Sequence, residues 1–471
     1  MAYLRTSTAR SMTRHLMLPM RIVQTYLCFT VVLYAVGPLR WPTHNPVLLY
    51  TFLLAAQFAL YLGYRISMNS IEAPPQVPRH DTTAFRRILE AMVVITLGFG
   101  ILNVTRYAGL TTVSFQGLVE KMKYGLLYPA QQYQAKFDIA GFGGKALTYS
   151  STLLGPLLWS TLPMSLLHFK TLRPFFRALA LLSVLVEISR WLATGTNKGI
   201  FDVLITCGAV ALMIRMRSKH IDNAGPPLRR SQRRRKTQLI LIALTILTVL
   251  SIAYFSNAVG DRLSGNWSGS VGPASVDQRS MVMKLCPRQL QPTLVYLTSY
   301  LTQGYYALSI ALPLPWTPMF GVGNSMFLMA NLSPVFGVDL YQYTYQTKLG
   351  AYGWDPLAKW HSIYVWLAND VHFVGVIPLM CVLGYFFAEI VKAAVIRREN
   401  LAAVILCLLF VMFSYFSANN QVLSFPETFM AFWVLTLLWI SSRYGHARRV
   451  KFRGFSQLPM ANISVASSKR E

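Results

Sequence analysis

The sequence predicts an all-α protein, a polytopic bundle of transmembrane helices. Three observations carry this. Of 471 residues, 54% are hydrophobic and only 13% are charged, for a mean hydropathy of +0.41. Several apolar runs reach about 20 residues, enough to cross a hydrocarbon core roughly 30 Å thick. The net charge of +27 comes in short blocks between those runs. That is the pattern of positive-inside topology rather than of a nucleic-acid-binding surface.

Ten spans are expected, near 22–38, 46–66, 86–105, 147–168, 173–194, 199–216, 238–256, 370–391, 401–418 and 425–442. With both termini cytoplasmic, the inner segments carry 30 of the 44 Lys and Arg residues. The block RRSQRRRK at 229–236 is the strongest single marker. Arg5, Arg10, Arg14 and Arg21 precede the first span without a cleavage pattern, so that span is expected to stay as an anchor. The five cysteines form no CxxC, and all but Cys286 lie in apolar runs. Neither a structural disulfide nor a metal site is expected.

The chain divides into a seven-span bundle (1–256), a large outer loop (257–369), three C-terminal spans (370–442) and a basic inner tail (443–471). The outer loop opens on the Gly/Ser-rich GDRLSGNWSGSVGP, which reads as a flexible segment. The run from Leu290 to Leu312 is apolar and aromatic but carries Gln and Thr, with Pro313 and Pro315 at its exit. It is read as a surface or re-entrant helix. The alternative, two further spans giving twelve, leaves both termini on the same side.

Three places carry groups able to do chemistry. In KWHSIYVWLANDVHFVG (359–375), His361, Asp370 and His372 stand beside an apolar run. As one helix, it would put His361, Ala368, His372 and Gly375 on a single face, with the histidines about 16 Å apart and Asp370 opposite. Trp and His at a lipid headgroup boundary read equally well there. The turn LATGTNKGIFD (192–202) offers Thr196 and Lys198 at the start of a helix, where the dipole favours an anion. Lys198 can equally pair with Asp202 at i+4. No GxxxxGK[ST] pattern accompanies it, which argues against a nucleotide. Glu187 and Arg190, inside a span, are either functional charges or a mutually neutralising i,i+3 pair.

In the outer loop, Arg262, Arg279, Lys284, Arg288, Lys348 and Lys359 outnumber the acidic groups. An outer face with that surplus suits an anionic, lipid-linked substrate. Arginine grips phosphate oxygens in a bidentate manner. Nearby Tyr and Trp side chains can stack on sugar rings or form an interfacial belt.

His361-Ser362, the apolar stretch after them, Asp370 nine residues on and Gly375 resemble the short motif of the O-antigen ligase and Wzy-type polymerase superfamily. His372 stands where that motif has its first glycine. The turn Gly195-Thr196-Asn197-Lys198-Gly199 is similar to the Gly-Thr-Arg turn of the polymerases, with Lys198 in place of arginine and one residue extra. These motifs cover about a tenth of the chain.

The resemblance implies a GT-C-like membrane glycosyltransferase of the bacterial inner membrane. Such an enzyme extends oligosaccharide repeat units on undecaprenyl pyrophosphate at the periplasmic face. It implies His361 as the catalytic group, on the acceptor side or at the pyrophosphate. Lys198, Arg279 and Arg190 are expected to bind pyrophosphate, the two arginines on position and charge alone. Asp370, Arg288 and Thr196 would support them. Partners would be the bilayer, the lipid-linked oligosaccharide, a chain-length regulator and a flippase, with no nucleic acid, cofactor or metal. A ligase that delivers polymer to lipid A core, and a flippase, are the competing readings.

Overall fold

A computed structural model describes residues 15–70, 82–107, 114–133, 145–222, 230–263, 269–356 and 358–455. Helices stand at all ten expected spans: α1 (Leu18–Val36), α2 (Pro46–Asn69), α3 (Thr82–Tyr107), α5 (Lys145–Leu167), α6 (Pro174–Ala193), α7 (Lys198–Asp222), α8 (Arg230–Leu263), α13 (Ile363–Val395), α14 (Asn400–Tyr415) and α15 (Pro426–Phe455). Five of them, within α1, α2, α3, α7 and α13, are long and apolar enough to cross a membrane. Shorter helices fill the connections: α4 (Phe115–Leu127), α9 (Met281–Leu285), α10 (Gln291–Ala311), α11 (Met326–Phe336) and α12 (Tyr345–Gly350).

Local chemistry sets several helix starts. α1, α2 and α6 each have proline in the first turn, where its missing N–H costs nothing and its fixed φ suits a helix. Packing then aligns the spans. α2 and α13 run parallel: Phe52 meets Tyr364 and Phe373, Tyr64 meets Phe387, and Ser67 bonds Glu389. Their backbones touch at two glycines. A Cβ on Gly63 would lie 1.8 Å from the Cys381 carbonyl oxygen, and one on Gly384 2.0 Å from that of Leu60. Small residues at such crossings let dispersion contacts replace the hydrophobic drive that lipid does not supply.

The helix ends gather in two groups. At one end of the bundle, the Lys392 ammonium donates to the Ser67 and Ser70 carbonyls at 2.9 and 3.2 Å and pairs with Glu389. Those carbonyls close the C-terminus of α2, so a cation there offsets the helix dipole. Arg443 also reaches Glu389, Arg217 donates to the Ala394 carbonyl, and His168 bonds Asn400. The segments expected on the inner side therefore come together.

A second set of contacts gathers around α10. Tyr305 bonds Thr30, Thr302 accepts from the Trp41 indole, Thr293 bonds Ser256, and Tyr300 stacks edge-on against Trp360. α10 thus packs against α1, α8 and the segments around Trp41 and Trp360.

Three sequence readings need correction. The stretch 269–276 is ordered: β2 (Ser270–Val271) and β3 (Ala274–Val276) form a hairpin, and β3 also pairs antiparallel with β1 (Leu39–Arg40). An Arg40–Asp277 ion pair at 2.7 Å closes this small sheet. The span expected to begin at 370 begins at Ile363 instead. And α13 is two helices end to end, broken at His372. Arg262, one of the outer-loop cations, is among the residues whose side chains lie outside the description.

Candidate functional site

The site assembles at the head of α13. Residues Ile363 to Asn369 are all buried, held by α10, α14 and α2. Tyr364 packs edge-on to Phe52 and Phe416, and the Ile363 N–H donates to the Phe416 carbonyl at 3.0 Å. Gly304 of α10 sits so close that a Cβ would come within 2.2 Å of the Ser417 oxygen and 2.7 Å of the Ser362 nitrogen. Only a residue without a side chain lets the three segments meet.

His361 lies just before this helix and is 2% exposed. Burial pushes its pKa down from 6.5 to about 3, against the pull of the Asp355 charge and a backbone hydrogen bond at Lys359. The ring is therefore neutral at physiological pH. Its Nε2 has no hydrogen-bond partner among the described residues. Ser362 takes the N-cap position, where a serine hydroxyl ordinarily accepts from the first turn. Here it makes no such bond, and its fully buried Oγ is also partnerless. Trp366, one turn on, stands edge-on to the His361 ring at 6.5 Å and buries its indole N–H without a partner. Each such group costs about 1–3 kcal/mol when left unpaired in protein, so three close together at one helix start are a concentrated cost.

The first half of α13 ends at His372, which has φ 58° and ψ 163°, a region that glycine alone occupies readily. The expected single face shared by His361, Ala368, His372 and Gly375 is thus absent: His361 precedes the helix and His372 interrupts it. The loop 315–324 covers this break. Trp316 donates to the Asn369 carbonyl at 3.0 Å and packs edge-on to the His372 ring at 5.5 Å. Lys348 holds the loop's beginning through the Pro315 carbonyl and the Thr317 hydroxyl.

Asp370 holds the loop's end. One carboxylate oxygen accepts the N–H groups of Gly321 and Gly323, both at 2.8 Å. The other accepts the N–H and the side-chain amide of Asn324. From this loop Met319 packs with Met329 of α11 against Trp366, and Val322 joins them. Asn369, beside Asp370, is a second hub: its side chain bonds Tyr345, Gly323 and Gln346.

The turn before α7 forms a second group. Gly195 has φ 63°, and Thr196 bonds the Thr194 hydroxyl. Lys198 pairs with the nearly buried Asp202 at 3.2 Å and lies over the Trp191 and Phe425 rings. Arg190 pairs with Glu187, which also accepts from the Trp191 indole. Both sequence alternatives of pairing are therefore what the fold adopts. Phe425 links this group to the first. Its neighbour Ser424 accepts from the Phe327 N–H at 3.0 Å, and the Asn420 amide donates to the Asn324 carbonyl at 2.6 Å.

Arg279 and Arg288 stand apart. Both are exposed, with no side-chain partner among the described residues, on either side of α9. There Met281 and Leu285 also face outward, 78% and 81% exposed. The fold thus brings His361, just before α13, and Asp370, near the end of its first half, into one region and links Asp370 through the 420–425 segment to Lys198, Thr196 and Arg190. It does not bring in Arg279 or Arg288. Trp366, Asn369, Asn324 and the unused Ser362 hydroxyl went unmarked in the sequence. Only the Asn369-Asp370 pair, two polar residues side by side in an apolar run, signalled them.

Comparison of the chain with family models, with curated proteins and with solved structures found no match.

Proposed function

We propose that this protein is a membrane glycosyltransferase that polymerises oligosaccharide repeat units carried on undecaprenyl pyrophosphate, at the periplasmic face of the bacterial inner membrane. Its bundle is read as GT-C-like, with ten spans and both termini cytoplasmic. The observation that carries the reading is the His361 imidazole, buried, neutral and with a free lone pair at the head of a broken helix.

Glycosyl transfer of this kind needs a base for the acceptor hydroxyl and positive charge for the departing pyrophosphate. A neutral imidazole has a lone pair to take the acceptor proton and no positive charge to offer the pyrophosphate, although its lowered pKa makes it a weak base until substrate enters. His361 is therefore assigned to the acceptor. The pyrophosphate falls to the Lys198 group, where Lys198 and Arg190 already face carboxylates that an anion would replace. Thr196 lines that turn. Arg279 and Arg288, exposed next to an apolar surface, are placed to attract the charged head of an incoming lipid. Asp370 shapes the site through the loop it holds. No metal or cofactor is assigned.

Deletion of the gene tests the class. Single repeats on the lipid or core support a polymerase. Long chains left unattached would make it a ligase, and single repeats trapped on the cytoplasmic leaflet would make it a flippase.

A further inference from the structure

The three partnerless groups at the head of α13 have a chemistry in common. We propose that His361 Nε2, Ser362 Oγ and Trp366 Nε1 form a socket for one uncharged hydroxyl, that of the acceptor sugar, with Ser362 and Trp366 as positioning residues. This rests on the polymerase reading and adds the residues that orient the nucleophile.

A hydroxyl has one proton to give and lone pairs to receive with. The socket matches that count. His361 offers a lone pair, the Trp366 indole only donates, and the Ser362 hydroxyl does either. All three are more than nine-tenths buried: His361 just before α13, Ser362 at its N-cap and Trp366 one turn further on, with the His361 and Trp366 rings 6.5 Å apart. A phosphate fits poorly: a phosphodiester brings no proton for the His361 lone pair, and the charge that acts on the ring is that of Asp355, an anion. No lysine or arginine side chain is bonded or ion-paired to any of the three groups among the described residues.

In the transfer, the acceptor O–H proton passes to His361 Nε2. The acceptor oxygen's electron pair forms the new bond to the anomeric carbon. The bond from that carbon to the pyrophosphate oxygen breaks, and its electron pair leaves on the pyrophosphate. Ser362 and Trp366 hold the oxygen and release no proton of their own.

The test exploits what a spare hydroxyl does to stability. Removing a buried hydroxyl that lacks a protein partner removes a cost of folding. Ser362→Ala should therefore raise the melting temperature of the purified protein by a degree or more, while cutting polymer extension on native lipid-linked repeats at least tenfold. Ser362→Thr, which keeps the hydroxyl, should restore most of the extension. Trp366→Phe keeps the ring and should cost a similar factor, expressed mainly in turnover.

Full extension by Ser362→Ala at equal abundance would overturn the socket, whether or not the protein is stabilised. A fall in melting temperature would also overturn it, because the hydroxyl would then have a structural partner. If the wild-type protein itself fails to extend lipid-linked repeats, the polymerase reading falls instead, and the stability result still reports on the socket.

Discussion

Asp370 and Asn324 are joined twice: one carboxylate oxygen accepts both the Asn324 backbone N–H at 3.0 Å and its side-chain amide at 2.7 Å. With Gly321 and Gly323 on the other oxygen, the carboxylate closes the loop through backbone and amide donors, paired with no cation among the described residues. An acidic residue beside a histidine in an apolar stretch invites a catalytic reading. Here it organises backbone.

Asp370→Ala should accordingly cost about 3 kcal/mol or more, since it strands several donors at once and hydrogen bonds to charged groups are worth about 1.5–3 kcal/mol each. Asp370→Asn, which keeps one acceptor oxygen, should cost roughly half as much. Thermal unfolding in detergent measures both. Limited proteolysis between Trp316 and Asn324 should speed up in the same order. An unchanged melting temperature for the alanine variant would remove the loop-holding role.

His372 makes a prediction in the opposite direction. Its backbone lies where a Cβ is strained, at a cost of about 1–3 kcal/mol. His372→Gly should stabilise the protein by around 1 kcal/mol after the extra freedom of the unfolded glycine is counted. His372→Ala keeps the strain and loses the ring contact with Trp316, so it should destabilise. Identical effects of the two variants would mean that the break carries no strain.

His372, one of the polar residues in this apolar stretch, is the residue at which the helix breaks. That was visible in the sequence as an irregularity, but not as a break, because hydropathy runs on unaltered through 363–395. Span positions were legible because lipid demands long apolar runs. The Arg40–Asp277 sheet was not, since strands of two or three residues leave no periodicity. The pairing of Lys198 with Asp202 was one of two local alternatives that i,i+4 spacing cannot separate. The three-group socket was invisible because it depends on what Ser362 and Trp366 fail to bond.

The buried imidazole predicts a pH dependence of stability. His361 has its pKa lowered on folding, from 6.5 to about 3, so the unfolded chain takes up the proton first as pH falls. Stability from this group is complete above pH 6.5 and is lost as pH drops from there towards 3. At pH 5 the loss is about 2 kcal/mol. His361→Gln should flatten that part of the pH profile. A profile equally steep in the variant would show that His361 is charged or exposed in the folded protein.

Lys198 separates structure from function by a double substitution. Lys198→Ala alone leaves Asp202, 8% exposed, without its cation and should destabilise by about 1–3 kcal/mol, less than for a fully buried pair because Lys198 is itself 34% exposed. Lys198→Met with Asp202→Asn removes both charges and should recover most of the stability. Polymer extension should stay low in that double variant, at least tenfold down, whereas Lys198→Arg should keep partial activity. Full extension by the double variant would leave the turn a purely structural one.

The most direct test of the whole account is chain growth in a strain carrying His361→Ala. The variant should insert into the membrane at normal abundance and yield only single repeat units on the lipid or core, the same product as the deletion strain. Long polymer made by the His361→Ala protein would contradict the assignment of His361 as the base that activates the acceptor hydroxyl.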